Sequence, residues 1–92
     1  MTLDTMHAVA DALTLRGLPS TTEYPGYIQT ETEHGTFVSG DAGGVVACNV
    51  LESDGWNESE LAVSTMTSEC NDVDAIATFI EATIRVALTV EA

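Results

Sequence analysis

Four side chains in this 92-residue sequence could bind a transition metal: His7, His34, Cys48 and Cys70. No two of them are three or four residues apart, and the sequence contains no C-x-x-C motif. Structural zinc sites usually show such close ligand pairs. We therefore predict no metal site. The two cysteines fit better as small buried hydrophobic side chains, with a disulfide between them as the alternative.

No motif for a nucleophile or a phosphate is recognisable. Ser39 is followed by Gly40 and Asp41, but it lacks the first glycine of the G-x-S-x-G nucleophile elbow. The glycine-rich segment 40–44 joins two predicted strands, has no lysine and carries an acid, which opposes a phosphate. We predict no catalytic residues and no cofactor, and expect a protein that is not an enzyme. A small enzyme or ligand-binding domain whose site assembles only in space is the third-ranked hypothesis.

Acidic side chains are the most distinctive group. The chain has 15 Asp and Glu residues against two basic residues, Arg16 and Arg85, and its formal net charge is −13. This charge opposes direct binding to nucleic acid or to an anionic membrane. Carboxylates can instead occupy a basic groove of a protein partner, where they stand in place of phosphates. The alternative is an acidic surface that only maintains solubility, as high-GC or salt-adapted genomes produce.

The candidate partner-binding residues lie in the predicted sheet region and its loops. They combine carboxylates with the single tryptophan, whose indole could anchor an interface. The set is Glu31, Glu33, Asp54, Trp56, Glu58 and Glu60.

Hydrophobic spacing predicts two helices. Leu3, Met6, Ala10 and Leu13 form one apolar stripe over residues 2–16, with Thr2 as N-cap and Gly17 as the terminating residue. The second helix covers residues 72–90, with Asn71 as its N-cap. Glu81 and Arg85 are spaced for an i,i+4 ion pair on that helix.

Alternating apolar and polar residues predict strands over 27–32, 36–40, 45–51 and 60–66. Strand 45–51 is the most hydrophobic and should be central. Residues 19–26 are predicted to be irregular, with turns at 33–35, 41–44 and 53–55. Because these connections are short, the strands should form an antiparallel meander. The prediction is one acidic α+β domain over residues 1–92: a two-layer sandwich of about four strands with both helices on one face, in the order α-β-β-β-β-α.

The second predicted helix carries more apolar surface than one packed face needs. One seam can pack on the sheet, and the other contains Phe79, Val86 and Val90. We predict a homodimer in which these three side chains approach the two-fold axis.

These observations favour a non-enzymatic inhibitor or adaptor that binds a basic protein partner, such as a nucleic-acid-binding protein. Small phage anti-defence and host-takeover proteins are often of this kind. The alternative is a dimeric chaperone-like or scaffold module that presents an apolar helix surface. No segment resembles a signal peptide, and no apolar run approaches the roughly 20 residues of a membrane span. We expect a soluble, cytoplasmic protein with reduced thiols.

Overall fold

The structure, a computed structural model, describes residues 1–23, 26–51 and 57–91, with side chains up to residue 89. Helix α1 (Leu3–Leu15) precedes the strands, and helix α2 (Val73–Glu91) follows them. The strands are β1 (Ser20–Thr21), β2 (Tyr27–Thr32), β3 (Gly35–Ala42), β4 (Val45–Leu51) and β5 (Glu58–Thr67). They form one antiparallel sheet in the order β1-β2-β3-β4-β5. The predicted α+β sandwich with a meander sheet is confirmed; the predicted turn at 53–55 lies outside the described residues.

The fifth strand, β1, lies within the segment predicted to be irregular. Ser20 and Thr21 pair with Thr30 and Gln29 of β2, and the Pro19 carbonyl accepts a hydrogen bond from the Glu31 amide at 3.2 Å. Two residues beside a proline are too few to show an alternating pattern, which is why the sequence did not indicate a strand. With β1 included, β3 rather than β4 is the central strand of the sheet.

The ends of α1 follow from the residues that the sequence singled out. The Thr2 hydroxyl accepts a hydrogen bond from the Thr5 amide at 3.1 Å, as an N-cap does. At the other end Gly17 takes a positive φ of 89°. The amides of Gly17 and Leu18 then donate to the carbonyls of Thr14 and Leu13. This is a Schellman motif, and its left-handed residue explains why glycine ends the helix.

The prediction of Asn71 as N-cap of α2 is wrong by one residue. The Asp72 carboxylate caps the helix by accepting a hydrogen bond from the Ala75 amide at 3.1 Å. Both residue types are good N-caps, so local preference could not choose between them. The Asn71 side chain has another role: its Oδ1 atom accepts hydrogen bonds from the Thr5 hydroxyl at 2.8 Å and from the Thr2 backbone amide at 3.3 Å. This contact ties the beginning of α1 to the beginning of α2.

Both helices pack on the same face of the sheet. Helix α1 contacts β1 and β2, helix α2 contacts β4 and β5, and the helices contact each other. The core lies between these two layers. Its fully buried large side chains come from both helices and from three strands: Val9, Leu13, Ile28, Phe37, Val46, Ile76, Ile80 and Ile84.

Glu81 joins the two helices at the end of α1. Its carboxylate accepts from the Arg16 guanidinium at 3.4 Å and from Arg85 at 3.0 Å, so the predicted pair of Glu81 and Arg85 is confirmed. Arg16 also donates to the Thr78 hydroxyl at 3.1 Å. Arg85 donates to the Arg16 carbonyl at 2.8 Å, which places a positive charge at the negative end of α1. Both arginines of the chain are therefore used at this contact between the helices.

We expect Glu81→Ala to lower the free energy of unfolding by about 1–2 kcal/mol, because two guanidinium groups lose their shared carboxylate. Asp74→Ala is the matched control: Asp74 is 92% exposed and lies 3.8 Å from Arg16. It should cost less than about 0.5 kcal/mol. Urea unfolding of both variants measures the difference. Equal losses would show that Glu81 does not join the helices.

Candidate functional site

The face of the sheet that points away from the helices is called here the outer face. Residues directly opposite each other on antiparallel strands share a face, so strand register gives its cross-strand rows. One row contains Gln29, Val38, Asn49 and Glu60. The next contains Tyr27, Gly40, Ala47 and Val63. The centre of the outer face therefore combines the apolar Val38 and Ala47 with the polar Asn49, and β5 contributes both Glu60 and Val63.

Four predicted partner-binding residues are exposed at two edges of this face. Glu31 lies on β2, Glu33 follows it in the β2–β3 turn, and Glu58 and Glu60 lie on β5. Strands β3 and β4 separate β2 from β5, and only the two-residue strand β1 lies beyond β2. Strand spacings of about 4.8 Å put β2 and β5, called here the acidic edges, roughly 14 Å apart. The acids thus frame the outer face from both sides. The two other predicted residues, Asp54 and Trp56, lie outside the described residues.

The apolar centre between the acids was missed at the sequence level. Val38 is 8% exposed and Ala47 is 3% exposed, although both point away from the helices. Strand 45–51 is hydrophobic on both faces, and this pattern was a signal for an apolar centre on the outer face. From the sequence alone we interpreted it only as evidence that the strand is central in the sheet. The contribution of Val38 becomes visible only through its register with Asn49.

A concavity of about 130 Å³, called here the central concavity, opens in the middle of the outer face. Val38 and Ala47 line it, and so do Tyr27, Asn49 and Glu58. The side-chain nitrogen Nδ2 of Asn49 donates a hydrogen bond to the Glu58 carboxylate at 3.1 Å. The Asn49 side-chain oxygen Oδ1 is buried and accepts no hydrogen bond from the part of the chain that the structure describes. A buried acceptor without a donor is energetically costly.

Gly40 allows the chain to fold closely over the outer face. A Cβ atom at this position would lie 2.8 Å from the Gly26 carbonyl oxygen and 3.2 Å from Cβ of Tyr27. Only glycine accommodates this approach without displacing the backbone. Gly26 and Tyr27 both line the central concavity, so Gly40 fixes one of its walls.

We expect Gly40→Ala to lower the free energy of unfolding by about 1–3 kcal/mol, because the added methyl group overpacks against a backbone carbonyl. Thr36→Val, on the same strand and the same face, is the control and should change it by less than about 0.5 kcal/mol. Chemical denaturation measures both values. A Gly40→Ala variant as stable as the wild type would contradict the close approach of Gly26.

Positive charge lies away from the outer face. Arg16 and Arg85, the two basic residues of the chain, are held between the helices. The amino group of Met1 lies 3.6 Å from the Asp41 carboxylate and also donates to the Ser68 carbonyl. Asp41 lies opposite Val46, whose side chain is in the core. Every ion pair found among the described residues is thus on the helix side of the sheet or at its end.

The histidines and cysteines form no cluster that could hold a metal ion within the described ranges. The His7 ring lies 2.6 Å from the Thr22 hydroxyl, and His34 is exposed in the β2–β3 turn. Cys48 and Cys70 are free thiols, so the disulfide alternative does not hold in this structure. Cys48 is fully buried in the core, as expected of a small hydrophobic side chain.

Burial raises the pKa of the Cys48 thiol above its ordinary value of 9.0, and contact with the Ser39 hydroxyl opposes this rise. Ser39 lies directly opposite Cys48 on β3. Its hydroxyl has no hydrogen-bond partner of normal geometry among the described residues, so burial prevails. The thiol keeps its proton at neutral pH. Stability linked to this group is fully present below pH 9.0 and falls as the pH rises above it.

We expect iodoacetamide at mildly alkaline pH to modify Cys70 before Cys48 in the folded protein. Cys70 is partly exposed, whereas Cys48 is fully buried and protonated, so its reaction waits for the structure to open and should be slower by about a hundredfold or more. Peptide mass spectrometry over time gives both rates, and the unfolded protein in urea is the control. Similar rates in the folded protein would contradict the burial of Cys48.

The residues of the predicted dimer interface differ in their surroundings. Phe79 is partly buried and packs against the core of its own chain, whereas Val86 is 64% exposed. The side chain of Val90 lies outside the described residues. Part of the second seam is therefore covered within the chain itself, and the homodimer stays a prediction.

Comparison with protein-family models, with curated proteins and with solved structures finds no match for this chain. The interpretation of the site therefore depends on its own geometry and charge. In the ranges that the structure describes, no helix is long and apolar enough to cross a membrane.

Proposed function

We propose that this protein is a non-enzymatic inhibitor or adaptor that binds a basic surface of a protein partner through its outer face. The partner belongs to the class of proteins that use such surfaces to hold nucleic acid. The observation that carries the proposal is the separation of charge. The chain has 15 acidic residues, its two arginines are engaged between the helices, and exposed carboxylates frame the outer face.

The spacing of the carboxylates supports an imitation of nucleic acid. The acidic edges on β2 and β5 are roughly 14 Å apart by strand spacing. The major groove of B-DNA, which phosphates border on both sides, is about 12 Å wide. A protein surface that places lysine or arginine side chains against both backbones of a duplex would therefore meet two acid-bearing strands at a comparable spacing. Like phosphates, these carboxylates favour fast, salt-sensitive association.

The composition of the outer face is also that of a protein interface. Interfaces usually combine a buried apolar centre with a polar rim. Here Val38 and Ala47 lie at the centre with 8% and 3% of their surface exposed, and Val63 beside them on β5 is 47% exposed. Glu31 and Glu60 are exposed on β2 and β5. A surface that served only for solubility would not need apolar side chains in the middle of its carboxylates.

We place the protein in the cytoplasm, where nucleic-acid-binding partners are accessible and thiols stay reduced. Small phage proteins that block host defence offer a functional analogy for a compact acidic inhibitor. The homodimer through Phe79 and Val86 is compatible with this proposal, because it would leave both outer faces exposed.

The test uses a charge-reversed outer face, with Glu31, Glu33 and Glu60 replaced by lysine. Wild-type protein is used first to capture and identify a partner at low salt, and the purified partner then gives dissociation constants. We expect the triple variant to bind at least about tenfold more weakly. Capture by the wild type should fall steeply at moderate salt, because screening shortens the range of the carboxylates to about 8 Å at 0.15 M.

The control is a second triple variant, with Asp4, Asp11 and Glu69 replaced by lysine. These acids are exposed but lie off the outer face, and the net charge changes by the same amount. It should bind within about threefold of the wild type, since only overall charge is altered. Duplex DNA should compete with the wild type for the partner. Equal binding by both folded triple variants, or capture that resists salt and DNA, would refute the proposal and favour the chaperone-like alternative.

A further inference from the structure

We propose that the central concavity is the binding site for one arginine side chain of the partner. This inference rests on the proposed function, because it names the side chain that the outer face recognises. The concavity lies between the two acidic edges, so a basic surface that is attracted to the outer face brings its side chains to this position.

The size of the concavity fits a guanidinium group. Its volume is about 130 Å³, and a water molecule in the liquid takes about 30 Å³. The space could therefore hold roughly four water molecules. A guanidinium has the same number of heavy atoms, one carbon and three nitrogens. The side-chain stem of an arginine would lie over the rim, where Tyr27 offers apolar surface.

The chemistry of the lining selects a donor with a positive charge. Glu58 supplies a carboxylate, and Gly26 supplies a backbone carbonyl beside Gly40. Asn49 supplies a buried side-chain oxygen, Oδ1, that has no donor among the described residues. No lysine or arginine lines the space. A guanidinium carries five N–H donors in one plane and no acceptor. It can therefore donate to acceptors that lie on different walls.

The apolar floor favours arginine over lysine. Val38 and Ala47 line the concavity and expose only 8% and 3% of their surface, so little water contacts its floor. A guanidinium is weakly hydrated and packs flat against apolar or aromatic surface, whereas an ammonium is compact and strongly hydrated. The side-chain oxygen of Asn49 is buried in this structure, so the proposal requires the Asn49 side chain and the Glu58 carboxylate to turn outward on binding. Their hydrogen bond of 3.1 Å would then be exchanged for bonds to the charged ligand.

The first experiment is an NMR titration with a short glycine–serine peptide that contains one arginine. The control peptide contains citrulline, which has the same shape and no charge. We expect the arginine peptide to shift the signals of Val38, Ala47 and the Asn49 side-chain amide, and the citrulline peptide to bind at least about tenfold more weakly. Two variants of the protein test the site: Glu58→Gln removes the charge, and Ala47→Leu fills the space. Each should weaken arginine binding by about tenfold, with the fold verified by thermal unfolding.

The second experiment measures the same variants against the purified partner identified above. We expect Ala47→Leu to weaken this complex by at least about tenfold. If Ala47→Leu binds the partner as tightly as the wild type while the charge-reversed outer face does not bind, the arginine site is refuted and the proposed function stands. If neither change affects the partner, the proposed function itself fails. Equal shifts with arginine and citrulline peptides would also refute the site. Should Ala47→Leu not fold, Glu58→Gln decides the result.

Discussion

The packing of both helices against the same face of the sheet is the constraint on which the rest of the structure depends. Each helix offers one broad apolar stripe, and the sheet offers one face on which Ile28, Phe37 and Val46 are fully buried. Burial of these surfaces against each other is the main driving force for folding. Because α1 and α2 share that face, neither helix covers the opposite one, the outer face. The contact of Asn71 with Thr2 and Thr5 fixes where the two helices begin.

Local chemistry made much of this architecture predictable. Thr2 and Gly17 define the ends of α1 by hydrogen bonding and by a left-handed residue, and both effects depend on neighbouring residues only. The strand positions follow from alternation over five or more residues, which β1 is too short to display. The features that could not be predicted from the sequence depend on contacts between residues that are distant in the chain. Asn71 was placed at α2 because nothing nearby shows that its side chain reaches Thr5, and the central concavity exists only through the register of β3 with β4. The acids of the site were predictable as residues, but their division between two edges required the order of the strands.

Electrostatics and packing make opposite demands on this chain. A net charge of −13 destabilises the compact state through self-repulsion, and only two basic side chains are available to offset it. Both are placed where they join secondary-structure elements, since Glu81 accepts from Arg16 and from Arg85. Because both arginines lie in the helix layer, the strands carry carboxylates and no basic side chain. The distribution that stabilises the contact between the helices therefore also supports the proposed binding of a basic partner by the outer face.

The position of Arg16 and Arg85 has a further consequence before any contact is made. Arg16 and Arg85 offset part of the negative charge of the helix layer, whereas no basic side chain lies on any of the five strands. In the field of a positively charged surface, an uneven charge distribution experiences a torque that turns its more negative side forward. Rotational diffusion of a body with a radius of gyration of 11.9 Å is fast. Under the proposed function, more collisions would then begin with the outer face in front, and association would need less reorientation after the first touch.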